Sequence, residues 1–411
     1  MHGSSALTPY VGLDIGTSTV RCVVGVVDQN NPNKLSIVAH GSAPNLGMRK
    51  GIVAHAEDVA DAIAQAITEA ERLSGMRLAG ATVNINGTHV SGINSKGVIA
   101  ISAADREITT DDRMRVEEAA TIVQLPSNRE IIQVFAQNYR LDGQDNIKDP
   151  VGMHGVRLEV DTHIVTAATP NLRNLEMALE KAQVQVHNRT LSGLAAAEAV
   201  LARQQKEAGT AILDIGAGTT NLVVIEDGEV QHVAVLPMGG QHITNDLAIG
   251  LRTDLDIAEA VKLQHATLVQ PASKRDVRVK VGGQEHVFKA EDVAMITEAR
   301  VEEIFEYVDK ELSKVHRAHK LPGGVVLVGG TAKLPGIADF AKQQLQLAVR
   351  VGKLQPMTGL IDTIADPSYC TAAGLMLLDM LLLPEVAPAR GNQATDRTLN
   401  FIDSVLRRFK R

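Results

Sequence analysis

The sequence predicts an α/β protein of two related halves facing each other across a cleft. Three observations predict it. The stretch "LDIGTSTVRCVV" at 13–24 returns as "LDIGAGTTNLVV" at 213–224. A third glycine-rich stretch, "GGVVLVGGTAKLPG" at 323–336, has the form strand, Gly-Gly, helix start. The chain of 411 residues also exceeds the length over which one hydrophobic core keeps growing, so at least two domains are expected.

Each repeat is an apolar strand ending in an Asp, a turn of Gly and hydroxyl residues, and a second apolar strand, which is the pattern of a β-hairpin. In the turns, Gly16, Gly216 and Gly218 let backbone N–H groups approach an anion with no Cβ in the way. Thr17, Ser18, Thr19, Thr219 and Thr220 add hydroxyl donors. Asp14 and Asp214 place carboxylates where a metal or its waters can sit. One such turn is also what an ordinary tight hairpin uses. Two copies point to two domains that each contribute a loop to one shared phosphate group. Gly329 and Gly330, between a strand and a helix start, leave room for a flat ligand against the backbone. In "DIAEAVKLQHA", Glu259 and Lys262 lie three apart on one helix face, as a solvated ion pair or as part of the same site.

Composition excludes several classes. A net charge of −7 leaves no basic footprint for nucleic acid, and 2% aromatic residues with no Trp provide no base-stacking surface. Cys22 and Cys370 form neither a disulfide framework nor a metal set and read as small core residues. The scattered histidines carry no metal-ligand spacing. The start "MHGSSALTPY" lacks a signal-peptide pattern, which places the chain in the cytoplasm. The apolar run "AAGLMLLDMLLLP", interrupted by Asp379 and stopped by Pro384, is too short to span a bilayer and reads as a buried helix.

Together, "LDIGTSTV", "LDIGAGTT", "VVLVGGTAKLPG", "LSGLAAAEAVL" and "SYCTAAGLMLL" resemble, in order and spacing, the actin, sugar-kinase and heat-shock-chaperone ATPase superfamily. They are similar to its two phosphate loops, its adenosine motif and its two connecting helices. The segments "GMRKGIV", "VNINGTHVSGINSKGVIAIS", "REITTDDRMRVEEAA" and "DPVGMHGVRLEV" resemble the FtsA family of cell-division proteins, with similarity running from about Tyr10 to Leu383. The implied fold is an actin-like two-domain ATPase fold with a nucleotide cleft and an inserted α+β subdomain in the first half. The expected division is 1–82 with 166–200 as the first core domain, 83–165 as the inserted subdomain, and 201–228 with 306–384 as the second core domain. Residues 229–305 form a smaller subdomain of the second half, 385–398 a flexible linker, and 399–411 an amphipathic helix.

The resemblance implies ATP with Mg²⁺. Asp14 and Asp214 would orient the magnesium and its waters, and Gly16, Thr17, Ser18, Gly216, Gly218 and Thr219 would cradle the phosphates. Arg21 stands where relatives often carry a phosphate-contacting Lys. Glu259 and Lys262 would meet the ribose and the adenine edge, and Gly329, Gly330 and Lys333 would line the adenine side. Ser192 occupies the position of the usual water-orienting Glu or Gln. A Ser is a poor base, so the expectation is tight nucleotide binding with weak or negligible hydrolysis. Implied partners are FtsZ, docked on the smaller subdomain of the second half, further copies of the chain in filaments, later division proteins on the inserted subdomain, and anionic lipids.

The lipid partner is read from the residues themselves. In "LNFIDSVLRRFKR", Leu399, Phe401, Ile402, Val405, Leu406 and Phe409 recur at helical spacing, flanked by Arg407, Arg408, Lys410 and Arg411. A basic amphipathic helix behind the Pro-, Gly- and Ala-rich tether 384–398 reads as an interfacial membrane anchor. Together with the family resemblance, this implies a location on the cytoplasmic face of the inner membrane at the division site. Two alternatives remain at this point: an actin-like adaptor of another membrane machine, of the type IV pilus kind, and a carbohydrate kinase, for which no catalytic Asp constellation is evident.

Overall fold

A computed structural model describes residues 8–28, 31–103, 105–269 and 276–382. Two mixed sheets organise it. The first runs Gln185–Leu191, Gly80–Ile85, Tyr10–Ile15, Thr19–Asp28, Asn31–Pro44 and Thr358–Gly359. The second runs Glu229–Leu236, Thr220–Glu226, Thr210–Ile215, Val325–Val328 and Val349–Val351. The two sequence repeats are the central hairpins of these sheets and share one register. Asp14 pairs with Arg21 and Ile15 with Val20, just as Asp214 pairs with Asn221 and Ile215 with Thr220. Near-continuous apolar strands suit both hairpins, because helices cover the faces of each sheet.

Helix Ala56–Ser74 lies on the first sheet and buries Val59, Ile63, Ala66 and Ile67. Burying each of the larger side chains contributes about 1.5–3 kcal/mol. Gly41 permits the approach, since a Cβ there would lie 2.0 Å from the Ala66 carbonyl oxygen. The other covering helix, Cys370–Leu382, comes from the far end of the described chain. Gly374 brings it onto helix Ser192–Val200, where a Cβ would stand 1.7 Å from the Ala195 carbonyl oxygen. Asp379, which interrupts this apolar helix, is fully buried. It accepts hydrogen bonds from the Val11 amide (2.9 Å), the Thr82 hydroxyl (2.7 Å) and His187 Nδ1 (2.9 Å). Cys22 and Cys370 are both buried and free, and burial pushes both thiols up to about 12.

In the chain, between strand Gly80–Ile85 and helix Thr169–Lys181, comes an antiparallel sheet of four strands, in the order Ser91–Ala100, Arg157–Ala168, Arg129–Leu141 and Gln144–Ile147. Helix Thr110–Ala120 packs on it with a core of its own that includes Ile108, Val116, Tyr139 and Leu158. Thr109 starts this helix with a capping box, its hydroxyl accepting from the Asp112 amide and its own amide donating to the Asp112 carboxylate. This is the α+β unit expected from the sequence. It rests on the edge strand of the second sheet. Gln137 Nε2 donates to the carbonyls of Val230 (3.2 Å) and Gln231 (2.8 Å), and the Val233 amide donates to His163 Nε2 (3.1 Å). Side chains thus satisfy edge groups that would otherwise stand open.

Helices Gly240–Leu251, Leu255–His265, Ala290–Lys314 and Ile337–Leu345 cover the second half. A hairpin turning at Gly282-Gly283 pairs Asp276–Val281 with Gln284–Lys289, with both glycines at positive φ. Among the described residues no helix is long and apolar enough to cross a membrane. The expected linker 385–398 and the expected amphipathic helix, with Phe401, Ile402, Val405, Leu406, Arg407, Arg408, Phe409, Lys410 and Arg411, lie outside the described residues.

Candidate functional site

The turns of the two hairpins meet. The Gly16 amide donates to the Thr19 carbonyl (3.2 Å) and the Gly216 amide to the Thr219 carbonyl (2.9 Å), so the loops close alike. A Cβ on Gly218 would lie 2.9 Å from the Thr17 hydroxyl, so only a glycine lets the second loop come this close to the first. Thr17 is buried and Ser18 exposed. The start of helix Gly240–Leu251 abuts the second loop through the Gly240 amide and the Gly216 carbonyl (2.9 Å), and the Thr331 hydroxyl donates to that same carbonyl (3.0 Å). Two glycine-containing loops, their hydroxyls and a helix start therefore converge on one place, which suits an anion.

Asp14 and Asp214 end the two central strands and face this place together. Burial pushes the Asp14 carboxyl up to about 7, with the Asp214 charge adding to the rise and Arg21 pulling against it. Asp214 is raised by burial, against hydrogen bonds from Thr371 and Asn221 and the charge of Arg21. Two carboxylates drawn out of water, one of them raised further by the other's charge, make a site that a divalent cation relieves. Among the described residues no three His, Cys, Asp or Glu side chains cluster to hold a metal ion alone. Two carboxylates with phosphate oxygens and waters are the ligand set that Mg²⁺ accepts. Arg21, opposite Asp14 in the hairpin, lies over the Tyr369 ring with its guanidinium carbon 5.5 Å from the centroid.

Ser192 is 1% exposed. Its hydroxyl accepts from Asn84 Nδ2 (3.0 Å), and the same nitrogen donates to Asp14 (2.7 Å). Asn84 Oδ1 in turn accepts from the Ile15 amide (2.7 Å), so one asparagine orients the first loop, Asp14 and Ser192. Glu198 turns to Lys206 (2.6 Å) and not to this group. Sequence reasoning missed Asn84, which only the parallel pairing of Gly80–Ile85 with Tyr10–Ile15 brings beside Asp14. It also missed Thr371, Asn221 and Asn86. Asn221 holds Asp214 (3.3 Å), and Asn86 Nδ2 reaches the Thr219 hydroxyl across the cleft (3.2 Å). Asn221 was legible, since it occupies in the second repeat the position that Arg21 occupies in the first.

On the other side, Lys262 is tied to Glu259 (2.7 Å), the Thr244 hydroxyl (2.8 Å) and the Gly240 carbonyl (3.1 Å). Glu259 also accepts from the Thr244 hydroxyl. The pair is thus built into the helix start beside the second loop. Gly329 has φ +87, and a Cβ there would stand 2.5 Å from Asp214 Oδ1. Gly330 faces open space and begins the 3-10 turn Gly330–Lys333. Lys333 pairs with Asp366 (2.8 Å).

Residues 211–374 match the family model described as cell division protein FtsA, and 87–166 match the SHS2 domain inserted in FtsA. Cell division protein FtsA of Bacillus subtilis is 38% identical over 371 residues, which is 89% of this chain and 82% of that one. The Pseudomonas aeruginosa protein is 35% identical over 371 residues, covering 89% and 88%, and that of Escherichia coli 31% over 377 residues, covering 89% of each. The chain belongs to the FtsA family. It is a cell-division protein with an actin-like ATPase fold and the family's inserted domain. Solved structures share the fold alone. The PilM-PilN type IV pilus biogenesis complex has a TM-score of 0.64 at 18% identity, covering 91% of this chain and 99% of that one. MreB5 of Spiroplasma citri bound to ADP has a TM-score of 0.54 at 16% identity, covering 90% and 95%. The FtsA relatives, much closer in sequence than the pilus protein, leave neither the pilus reading nor the carbohydrate-kinase reading favoured.

Proposed function

We propose that this FtsA-family chain binds ATP with Mg²⁺ between its two loops, polymerises, and tethers the FtsZ ring to the cytoplasmic face of the membrane at the division site. The observation that carries the reading is the meeting of two hairpins of identical register, each with an Asp near its turn whose carboxyl burial raises, on one anion-suited cleft. Gly16, Thr17, Ser18, Gly216, Gly218 and Thr219 hold the phosphates, Asp14 and Asp214 orient the metal's waters, and Arg21 offers a charge held over Tyr369. Glu259 and Lys262 meet the ribose and the adenine edge, with Gly329, Gly330 and Lys333 on the adenine side. Bound magnesium neutralises phosphate charge and orients water. Ser192, buried behind Asn84 and with no carboxylate of its own, makes hydrolysis slow.

The division into domains expected from the sequence belongs to this proposal, as do its partners. The smaller subdomain of the second half takes FtsZ, the inserted subdomain takes later division proteins, and residues 399–411 take anionic lipids. Each Lys or Arg near an anionic surface contributes about 1 kcal/mol, so one short helix binds marginally and many tails along a filament bind firmly. The test is electron microscopy of the full chain with ATP on anionic lipid monolayers. Filaments should coat the lipid, and a chain lacking 399–411 should leave it bare while keeping ATP affinity. No filaments with ATP, or equal coating by the shortened chain, would overturn the reading.

A further inference from the structure

The hairpin Met48–Arg49 and Ile52–Val53 turns at Lys50 and Gly51, both with positive φ (50° and 73°). Two such residues in sequence are what a two-residue hairpin turn demands, and Asn or Gly is the usual choice for the first. A Lys in the left-handed region is disfavoured, and such positions cluster at functional sites. The turn is pinned to the first phosphate loop. The Gly51 amide donates to the Thr17 hydroxyl (3.1 Å), and a Cβ on Gly51 would lie 2.6 Å from Gly87 Cα. It also reaches the second loop, where a Cβ on Gly218 would lie 3.1 Å from Lys50 Cα. The Lys50 backbone thus sits where the two loops meet.

Among the described residues its charge has no partner. Lys50 is exposed, and among the described residues no hydrogen bond or ion pair holds its ammonium. The other cations near the cleft are engaged: Lys262 with Glu259 and Thr244, Lys333 with Asp366, and Arg21 over the Tyr369 ring. The Lys50 charge is also felt at the start of helix Gly240–Leu251. There the His242 imidazole is held below its ordinary value by burial, then by Arg300 and Lys50, against the charge of Asp246.

We infer that Lys50, carried to the junction of the two loops by the 48–53 hairpin, binds the outermost phosphate of a nucleoside triphosphate and so distinguishes the triphosphate from the diphosphate. The inference rests on the nucleotide reading above and assigns it a residue outside both loops. A flexible ammonium on a strained, pinned turn makes a point-charge contact that ends when that phosphate leaves. The hairpin is then released from the second loop while remaining attached to the first through Thr17.

The test is calorimetric titration of the full chain with Mg·ATP and Mg·ADP. Lys50→Asn removes the charge with a residue that takes this backbone conformation readily. ATP affinity should fall about tenfold or more, as for loss of a charged hydrogen bond, and ADP affinity by no more than about threefold. Lys50→Arg should hold ATP to within about threefold, and Arg49→Asn, next door and equally exposed, should leave both affinities alone. Melting without nucleotide should not fall below wild type in any of the three, since both side chains are exposed and Asn fits the backbone at 50. Unchanged ATP affinity in Lys50→Asn, equal losses for ATP and ADP, or an equal loss in Arg49→Asn would overturn the assignment. Wild-type protein that binds neither nucleotide would instead remove the nucleotide reading and this inference with it.

Discussion

His163 joins the inserted subdomain to the second half in a form that acid should break. Its Nε2 accepts from the Val233 amide (3.1 Å), so its proton sits on Nδ1, which donates to Asn94 Oδ1 (2.6 Å). The ring is 1% exposed, and burial, then the neighbouring His232, hold its pKa down to about 4. A folded-state pKa below the unfolded value means that the neutral form contributes stability in full above about 6.5 and loses it as pH falls through about 4. The difference corresponds to about 3 kcal/mol at its limit. Protonation would also turn Nε2 into a donor facing the Val233 N–H, so the contact itself should be lost. The assay is hydrogen exchange at the Val233 amide, corrected for intrinsic rates, between pH 7 and pH 4.5. Protection there should fall by about tenfold or more relative to the sheet centre at Leu213 and Leu222, and His163→Gln should show low protection at both pH values. Equal protection of Val233 at pH 7 and pH 4.5 would refute the reasoning.

Asp379→Ala strands two buried donors, the Val11 amide and the Thr82 hydroxyl, and the half-buried His187, at about 1–3 kcal/mol each, so the melting temperature should fall by roughly 6 °C or more; a fall under about 2 °C would show that they find other partners. Gly374→Val drives a side chain into the Ala195 carbonyl, and soluble yield and melting temperature should both drop sharply, whereas a wild-type melt would contradict the close helix contact. Thr109→Ala removes one arm of the capping box and should loosen helix Thr110–Ala120 by about 1 kcal/mol, read as faster amide exchange at Asp112 and Arg113, and unaltered exchange there would count against the cap.

The halves were legible because the two loops repeat the same residue types at the same spacing, and a repeat needs no partner to be seen. The buried helix with one Asp was legible as a helix, but not the reason for the Asp. Its three partners come from residues 11, 82 and 187, which only the folded sheet brings to one point. Asn84 was hidden for the same cause: its role depends on parallel pairing between strands far apart in sequence. Ser192 begins helix Ser192–Val200, and its burial behind Asn84 could not be read from the sequence around it. The histidines carry no metal-ligand spacing in the sequence, and His187 and His232 each face one acidic side chain. His163 differs, because its two nitrogens face two different subdomains.

The central claim is that one nucleotide is gripped from both halves. Its most direct measurement is a calorimetric titration of Mg·ATP into the wild-type chain and into two variants, one for each loop. Gly16→Asp and Gly216→Asp each set a carboxylate beside the phosphates in place of a glycine whose amide closes its loop. Both variants should lose ATP affinity by about a hundredfold or more while wild type binds one equivalent. Loss in one variant with wild-type affinity in the other would contradict the two-sided grip.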